Sequence, residues 1–306
     1  MKNSLDNLSI IILNYNSAEL CISLVKELIE LETGAHLFVV DNCSSDNSKI
    51  VLSEQLPQNN KVHTIFLDSN NGYAKGNNAG IRESFRINPD TDSILVMNPD
   101  IVVDNRDILF RLYNAIHENT NIGAITTQTI FNGQIHDPNE CAWRFLTKSY
   151  MMFGGTLVGR LFVKDLKYPQ LIPDSNGIAT VDVVQGCFFM IRREVFEKIG
   201  MLDTHTFLYS EESMLAKKLN KYGYKNAVLT DLYIHHNHKV KDKKLERAEN
   251  KIFDMKCFYD SRKYYIKQYS DCGKIFIFLS NIILDTDHFL KVVFLRFKTF
   301  LPWRNK

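Results

Sequence analysis

The amino-acid sequence predicts an α/β fold in which a mostly parallel sheet is covered by helices on both faces. Short apolar runs alternate with segments of helical periodicity through the first hundred residues. These runs contain few polar residues, as do strands that are buried on both sides. The chain of 306 residues is 45% hydrophobic, which is enough for one large core or two modest ones. Strands and helices that alternate in this way form right-handed crossover units of a parallel sheet.

The first strand is predicted at residues 8–13, an apolar run that only Ser9 interrupts. Ser17 is a typical N-cap, and leucines then recur at helical spacing as far as Leu31. The cycle of strand and helix repeats along the chain. The next predicted elements are a strand at 37–40, a helix at 45–56 that Pro57 ends, a strand at 64–67, a helix at 73–85 and a strand at 94–97.

The second half of the chain has weaker patterns. A strand is predicted at 123–130, and residues 131–180 have mixed composition without a clear period, which we interpret as an insertion over the ligand site. Apolar residues at 181–192 flank Gln185-Gly186-Cys187. The last predicted elements are helices at 193–199 and 211–221, a short strand at 227–229 and a mainly helical C-terminal part.

Polar residues follow each of the four strands predicted in the first hundred residues. The carboxyl ends of parallel strands share one edge of the sheet, where open α/β sheets bind ligands. Turn formation is the alternative, since Asn, Asp and Pro are common turn residues. No glycine-rich dinucleotide loop or P-loop motif is present in the sequence. The polar sets are Asn14-Tyr15-Asn16, Asp41-Asn42, residues 68–71 and Asn98-Pro99-Asp100.

Several residues at these positions are candidates for catalysis or metal binding. Pro99 restricts the backbone beside Asp100, whose carboxylate can ligate a divalent metal. Glu211 and Glu212 follow an aromatic segment at the start of a predicted helix, where apolar surroundings raise a carboxyl pKa toward that of a general base. An N-terminal helix cap is the alternative for this pair. His236 lies in a histidine cluster after a predicted strand, and imidazoles are common metal ligands.

The order of these motifs resembles the inverting family 2 glycosyltransferases, which have the GT-A fold, and in particular their bacterial rhamnosyltransferase and galactofuranosyltransferase-like branch. The resemblance covers about residues 8–238. Each motif is weak alone, but seven in order at family-like spacing are a specific signal. They are residues 13–16, 39–46 and 70–80, Asn98-Pro99-Asp100, Gln185-Gly186 with Arg192-Arg193, residues 207–212, and His236.

The resemblance implies a role for each candidate residue. The donor would be a nucleoside-diphosphate sugar, with dTDP-rhamnose or a UDP-sugar expected, and the acceptor a hydroxyl of a glycan, lipid-linked in similar enzymes. Mn²⁺ or Mg²⁺ is the implied cofactor. The implied sites are Asn14, Asn16, Asp41, Asn77, Asn98 and Asp100 for the donor, Asp100 and His236 for the metal, and Glu212 as the base with Glu211 as its alternative.

Two positions depart from the common family pattern. The usual Asp-x-Asp is Asn98-Pro99-Asp100 here, which leaves one carboxylate for the metal. The usual Glu-Asp is Glu211-Glu212. Two other functions are compatible with a nucleotide site on an α/β sheet. One is a nucleotidyltransferase, although the glycine-rich basic loop of that class is replaced by Asn14-Tyr15-Asn16-Ser17, and the other is a non-catalytic sugar-nucleotide-binding protein.

The C-terminal part differs in charge from the rest. Residues 239–306 contain 16 basic and 8 acidic residues, whereas the preceding part contains 21 and 27. A catalytic domain is therefore predicted at 1–238, followed by a basic, aromatic helical region at 239–306. Charged residues interrupt the apolar run after Lys274, which argues against a spanning helix and favours an interfacial one, with Arg296, Lys298, Trp303 and Arg304 at lipid headgroups. Packing on the catalytic domain or in a homodimer is the alternative.

The expected location is the cytoplasmic face of the plasma membrane. The six cysteines are scattered without metal-binding spacing, as expected for reduced thiols, and the first seven residues contain no apolar stretch of a signal peptide. Nucleic acid is not an expected partner, because no recognition module accompanies the basic residues.

Overall fold

The computed structural model describes residues 4–131, 134–135, 141–161, 163–237 and 248–300. The chain divides into two compact units. The first contains Met1–Arg144, Lys167–Thr204 and Glu211–Lys239, and the second contains Phe145–Leu166, His205–Ser210 and Val240–Lys306. The domain boundary predicted at residue 238 lies outside the described residues.

The first unit is built on a ten-stranded sheet flanked by helices. The strands of the structure are β1 (Leu8–Asn14), β2 (His36–Asp41), β3 (Val62–Phe66), β4 (Ser93–Met97), β5 (Ile101–Val102), β6 (Ile122–Phe131), β7 (Gln134–Ile135), β8 (Ala142–Trp143), β9 (Ile178–Val181), β10 (Val183–Val184), β11 (Phe188–Arg192) and β12 (Lys225–His236). The helices of this unit are α1 (Ala18–Glu30), α2 (Ser48–Gln55), α3 (Tyr73–Ile87), α4 (Arg106–Glu118), α6 (Arg193–Lys198) and α7 (Glu211–Lys221).

The sheet is mixed, with a parallel N-terminal half. Its order is β3-β2-β1-β4-β11-β6-β12-β5, and β1 to β4 are parallel to their neighbours within that half. β11 is antiparallel to both β4 and β6, whereas β12 is parallel to β6. Helices cover both faces, because Ile10 and Ile12 of β1 belong to one buried cluster and Ile11 to the other. The predicted fold class is therefore confirmed.

Several elements differ from their prediction. β5 and α4 lie in residues 101–122, where no element was predicted, and α4 begins where the Asn105 side chain accepts a hydrogen bond from the Asp107 amide. The helix expected at 45–56 begins only at Ser48, because Ser44 and Ser45 are bonded to residues at the sheet edge. The strand expected at 227–229 extends over the 12 residues of β12.

The glycines of α3 serve helix packing. A Cβ at Gly80 would lie 2.5 Å from Val40 Cγ2, and a Cβ at Gly76 would lie 2.6 Å from Leu13 Cδ1. Both distances are too short for a larger side chain, so these glycines allow α3 to lie close against β1 and β2. The contacts of Gly76 and Gly80 therefore support a role in close helix packing.

The second unit is helical, as predicted for the C-terminal part. It contains α5 (Lys148–Phe153), α8 (Ala248–Tyr269) and α9 (Lys274–Phe300), with a 3₁₀ turn at Gly159–Leu161. Arg262 of α8 is buried and donates to the carbonyl oxygens of Tyr150, at 3.0 Å, and of Gly154. Lys263 of α8 pairs with Asp285 of α9 at 2.7 Å. No helix within the described residues has the length and apolar character needed to cross a bilayer.

Candidate active site

The carboxyl ends of β1 and β2 are joined by a buried polar network. Asn14 Nδ2 donates to Asp41 Oδ1 over 2.7 Å and to Ser44 Oγ over 3.1 Å. Ser44 also donates to the Asp41 carboxylate through its amide and its hydroxyl. Because Asn14 and Asp41 are buried, the network fixes the direction of the Asp41 carboxylate.

Asn16 stabilises the loop after β2. Its Oδ1 accepts hydrogen bonds from the amides of Ser45, at 2.9 Å, and Asp46, at 3.3 Å. Asn16 has a φ of 55°, in the left-handed region that asparagine tolerates better than most residues. The side chain is exposed at the same edge of the sheet, and its predicted contact with the nucleotide stays a prediction.

Asn98-Pro99-Asp100 forms a hydrogen-bonded turn directly after β4. The Ile101 amide donates to the Asn98 carbonyl over 3.2 Å, which confirms the turn chemistry expected of this triplet. The turn also directs Asp100 toward β12, where Asp100 Oδ2 lies 3.3 Å from His236 Nε2. The two predicted metal ligands are thus adjacent in the structure, at the end of the sheet where the predicted ligand edge lies.

The Asp100–His236 pair fits a divalent cation. Two donors about 2.1 Å from an octahedral cation lie roughly 3 Å apart, close to the observed separation. Carboxylates and imidazoles are both common ligands of divalent cations. No group of three or more His, Cys, Asp or Glu side chains within the described residues is arranged to hold a metal. A cation here would therefore take its other ligands from donor phosphates and water.

The segment Gln185-Gly186-Cys187, which leads into β11, links this pair to the centre of the sheet. The Asn98 amide donates to the Cys187 carbonyl over 2.8 Å, and Cys187 Sγ lies 3.8 Å from His236 Nδ1. Gln185 is buried, accepts from Thr129 Oγ1 at 2.9 Å and donates to Thr126 Oγ1 at 3.0 Å. These bonds fix the position of the segment that precedes the strand.

Glu212 lies against Gly186. A Cβ on Gly186 would be 2.5 Å from Glu212 Oε1 and 2.9 Å from Glu212 Cγ. Tyr73, at the start of α3, donates its hydroxyl to the Gly186 carbonyl over 2.7 Å and lines the same small cavity as Glu212. Burial raises the pKa of the Glu212 carboxyl above its ordinary value. Burial, together with the nearby Glu212 charge, also raises the pKa of Tyr73, which therefore stays a neutral hydrogen-bond donor.

Glu211 precedes Glu212 at the first position of α7 and is buried. It lines the same cavity as Glu212. The backbone just before it is strained, since Tyr209 and Ser210 have φ values of 76° and 67°. Consecutive left-handed residues other than glycine cost about 1–3 kcal/mol each and are typical of functional sites. The backbone that leads into α7, and so positions Glu211 and Glu212, is therefore constrained.

The charge of Asp100 acts on two cysteines, Cys21 and Cys187. Burial, with added effects from the charges of Asp41 and Asp100, raises the pKa of Cys21 to about 12. Burial also raises the pKa of Cys187, and the charges of Asp100 and Glu212 contribute to that rise. Asp100 therefore lies within electrostatic range of a thiol near Asp41 and of a thiol near Glu212.

Two residues of the sequence motifs, Arg192 and Asn77, make hydrogen bonds within the fold. Arg192 is buried and donates to the carbonyl of Thr120 at 2.8 Å, at the end of the loop after α4. It pairs in register with Ser93, the first residue of β4, so it lies at the opposite end of that strand from Asp100. Asn77 is buried within α3 and donates to the Tyr73 carbonyl over 3.0 Å. Its predicted proximity to the donor stays a prediction.

Tyr73 and Cys187 were not predicted as site residues. The sequence offers one signal for Cys187, which follows a Gln-Gly pair within an apolar strand segment. Tyr73 lies within the motif at residues 70–80, but its contact with Gly186 joins residues 113 positions apart and has no local signal.

The sequence pattern of the family described as Glycosyl transferase family 2 matches residues 9–200, more than half of the chain. The chain belongs to this family. A relative of this family 2 chain is the "Low-salt glycan biosynthesis hexosyltransferase Agl10" of Haloferax volcanii, which is 35% identical over 210 residues. That match covers 68% of this chain but only 60% of the relative, so the chain spans less than two thirds of that relative's length.

Solved structures of similar fold include other transferases. A mannosyltransferase from Pyrobaculum calidifontis in complex with GDP-Man and Mn²⁺ aligns with a TM-score of 0.55 at 13% identity, covering 95% of this chain and 73% of that one. GalNAc-T7 with UDP, GalNAc and Mn²⁺ aligns with a TM-score of 0.58 at 14% identity, covering 92% and 54%. These likenesses confirm the GT-A-type fold. They do not distinguish the rhamnosyltransferase-like branch, which stays a prediction.

We expect Gly186→Ala in this family 2 chain to reduce turnover strongly while leaving the fold intact. The new Cβ would displace Glu212, and a displacement of about 1 Å can reduce the rate roughly 100-fold. Overpacking at this position should lower stability by about 1–3 kcal/mol. Steady-state kinetics and thermal unfolding measure the two effects.

Gly273→Ala is the matched control, because a Cβ there has no neighbour within 4 Å. If Gly186→Ala leaves kcat unchanged, then either Glu212 is not displaced by the new side chain or Glu212 is not the catalytic base.

Proposed function

We propose that this chain is an inverting glycosyltransferase that moves a hexosyl group from a nucleoside-diphosphate sugar to a hydroxyl of a glycan acceptor. The observation that carries the proposal is the arrangement around Gln185-Gly186-Cys187. The segment approaches Glu212 on one side, through Gly186, and contacts His236 and the Asn98 amide on the other, through Cys187. A general base and a metal-binding pair on one sheet edge meet the two chemical needs of glycosyl transfer.

The first need is removal of a proton. An acceptor hydroxyl has a pKa far above neutral, so a carboxylate must take its proton as the oxygen attacks the anomeric carbon. Glu212 is that base in the proposal. Its raised pKa makes it a stronger base than an exposed glutamate while it is ionised. Attack on the face opposite the leaving nucleoside diphosphate inverts the anomeric configuration.

The second need is stabilisation of the leaving diphosphate. A divalent cation held by Asp100 and His236 would offset the negative charge that develops on the diphosphate. Asp41 and Asn14, at the neighbouring strand ends, are proposed to contact the nucleoside, and Asn16, Asn77 and Asn98 to line the donor site. The buried bonds between Asn14, Asp41 and Ser44 support a pre-organised nucleoside contact.

The donor and acceptor are proposed from the sequence motifs. The Asn-Pro-Asp triplet favours dTDP-rhamnose or a UDP-sugar, and a lipid-linked glycan in surface polysaccharide synthesis is the proposed acceptor. The named homologue in glycan biosynthesis is compatible with such an acceptor.

Thermal unfolding in the presence of a panel of nucleotide sugars, each with and without Mn²⁺ or Mg²⁺, tests the proposal. A true donor should raise the Tm more with metal than without it, because a ligand that binds only the folded state stabilises that state. The best donor is then tested for transfer to glycan acceptors. If no nucleotide sugar raises the Tm with any metal, the proposal is wrong.

The reaction products separate the proposal from its alternatives. Release of a nucleoside diphosphate indicates glycosyl transfer, whereas release of inorganic diphosphate indicates a nucleotidyltransferase. Donor binding without transfer or hydrolysis would indicate a non-catalytic binding protein.

A further inference from the structure

Helix α9 carries a row of exposed apolar side chains, interrupted between Ile282 and Phe289, which we name the apolar stripe. Its eight members are between 46% and 78% exposed. Single exposed hydrophobic residues are common, but contiguous apolar patches mark interaction surfaces. The stripe consists of Ile275, Phe278, Leu279, Ile282, Phe289, Leu290, Phe294 and Phe297.

The spacing of the stripe places it on one side of the helix. Its members recur at intervals of three, four and seven residues, and at 1.5 Å per residue they extend over about 33 Å. Among the residues of α9 whose burial the structure describes, Ser280, Leu284 and Asp287 are buried, and they lie on a different side of the helix. Four of the eight stripe members are phenylalanines, a composition typical of helices that bind at a membrane interface.

The buried side of α9 is unusually polar. Asp287 is buried, pairs with Lys291 at 2.9 Å and accepts from the Leu157 amide at 2.8 Å. It also accepts from the Tyr259 hydroxyl. A surface helix of a soluble domain normally turns its apolar side inward and its polar side outward. α9 instead surrounds its buried Asp287 with hydrogen-bonding partners inside the unit and exposes eight large apolar residues.

A segment that contacts the buried side of α9 also exposes apolar side chains. Residues 155–161 are tied to α9 by the Leu157–Asp287 bond and by a 2.6 Å bond from Lys291 Nζ to the Gly155 carbonyl. In this segment Leu157, Val158 and Leu161 are exposed, the last of them by 85%. Two elements of the second unit therefore expose large apolar side chains.

Cations accompany these apolar side chains. Lys274 at the start of α9, Arg296 near its end and Arg160 of the neighbouring segment are all exposed. The exposed Asp285 of α9 is paired with Lys263 at 2.7 Å. Residues 239–306 carry 16 basic against 8 acidic residues, which attracts anionic lipid headgroups. The same charge opposes a second copy of the chain, since two strongly basic regions would face each other.

We propose that the apolar stripe docks on an anionic bilayer, with α9 lying in the plane of the interface. The phenylalanines and aliphatic residues enter the boundary between headgroups and acyl chains, and Lys274 and Arg296 contact anionic headgroups. This proposal does not depend on the identity of the sugar donor.

Co-sedimentation of the full chain with phosphatidylcholine vesicles, with and without phosphatidylglycerol, tests the proposal. We expect binding to the anionic vesicles that weakens as salt increases. The double variant Phe289→Ser/Phe294→Ser should bind at least tenfold more weakly, because each phenylalanine contributes apolar area to the bilayer contact. Both residues are exposed, so the variant should keep the Tm of the parent chain.

Two control pairs make the test specific. Ile50→Ser/Ile172→Ser removes exposed apolar residues of the first unit and should leave vesicle binding unchanged. Lys274→Glu/Arg296→Glu should weaken binding to anionic vesicles, whereas Lys26→Glu/Lys221→Glu should have little effect.

The proposal is overturned if the parent chain does not bind anionic vesicles, or if the double phenylalanine variant binds them as tightly as the parent. A dimer in analytical ultracentrifugation that Phe289→Ser/Phe294→Ser dissociates, without vesicle binding by the parent, would assign the stripe to a contact between copies instead.

Discussion

Glu212→Gln should reduce kcat by about 10²–10⁴-fold while donor binding is retained. The amide keeps the size of the side chain beside Gly186 but cannot accept the acceptor proton. Because the carboxylate acts on the acceptor, the affinity for the nucleotide sugar should change little. Steady-state kinetics and calorimetric titration of the donor measure the two quantities.

Glu211→Gln is the matched control for this experiment. Glu211 lines the same cavity, begins α7 and carries the same functional group. If Glu211→Gln loses turnover and Glu212→Gln keeps it, the base assignment must pass to Glu211. Equal turnover in both variants and the parent would contradict a glutamate base in this cavity.

The pH dependence of activity and of stability provides a second test of the substitution Glu212→Gln. Burial raises the pKa of Glu212, so kcat/KM should fall on the acidic side at a higher pH than an ordinary glutamate would cause. Above this raised pKa the folded state must hold a buried ionised carboxylate, whereas the unfolded chain ionises the same group freely. Glu212→Gln should therefore unfold at a higher temperature than the parent at alkaline pH. The difference should disappear below the ordinary glutamate pKa, where both states are protonated.

The N-terminal half of the sheet was predictable because its signals are local. Strands buried on both faces appear as short apolar runs, and β1, β2 and β4 match the predicted runs closely. Their parallel arrangement places the residues after them on one edge. The proximity of Asn14 to Asp41 follows from that rule, and the 2.7 Å bond between them confirms it.

The position of Glu212 near this edge of the sheet could not be predicted from local sequence patterns. It depends on β11, which pairs antiparallel between β4 and β6 and so brings Gly186 beside α7. Strand direction and pairing order are set by contacts between residues far apart in the sequence. Gly186 by itself is a common turn residue, and only the close approach of Glu212 shows why a side chain is excluded.

The length of β12 was underestimated for a related reason. Only residues 227–229 form an apolar run, and the rest of the strand mixes polar and half-buried residues. Pairing with β6 extends the strand to His236, with a shift in register between Leu229 and Tyr233. That extension places His236 opposite Ile101, immediately after Asp100. The family resemblance named His236 and Asp100 together as metal ligands, and the pairing of β12 with β5 shows how the fold brings them together.

Asp100→Asn should reduce kcat/KM by about 10²–10³-fold and raise the Mn²⁺ concentration needed for half-maximal rate. The amide removes the negative charge that would attract the cation, while its size and the turn at Asn98-Pro99 are kept. His236→Ala should have a smaller effect in the same direction, because the carboxylate remains. Calorimetric titration of Mn²⁺ with a nucleoside diphosphate supplies a measurement that does not depend on turnover.

The adjacent pair His235–Asp104 is a matched control, since it has the same chemistry one residue away on β12. His235 Nε2 lies 2.7 Å from Asp104 Oδ2, and this pair is more exposed than Asp100 and His236. Asp104→Asn and His235→Ala should leave both turnover and Mn²⁺ affinity unchanged, because successive residues of a strand point to opposite faces of the sheet. If all four variants weaken Mn²⁺ binding equally, the effect is general electrostatics and the metal assignment to Asp100 and His236 is wrong. A selective loss in Asp100→Asn and His236→Ala requires a cation held at that pair.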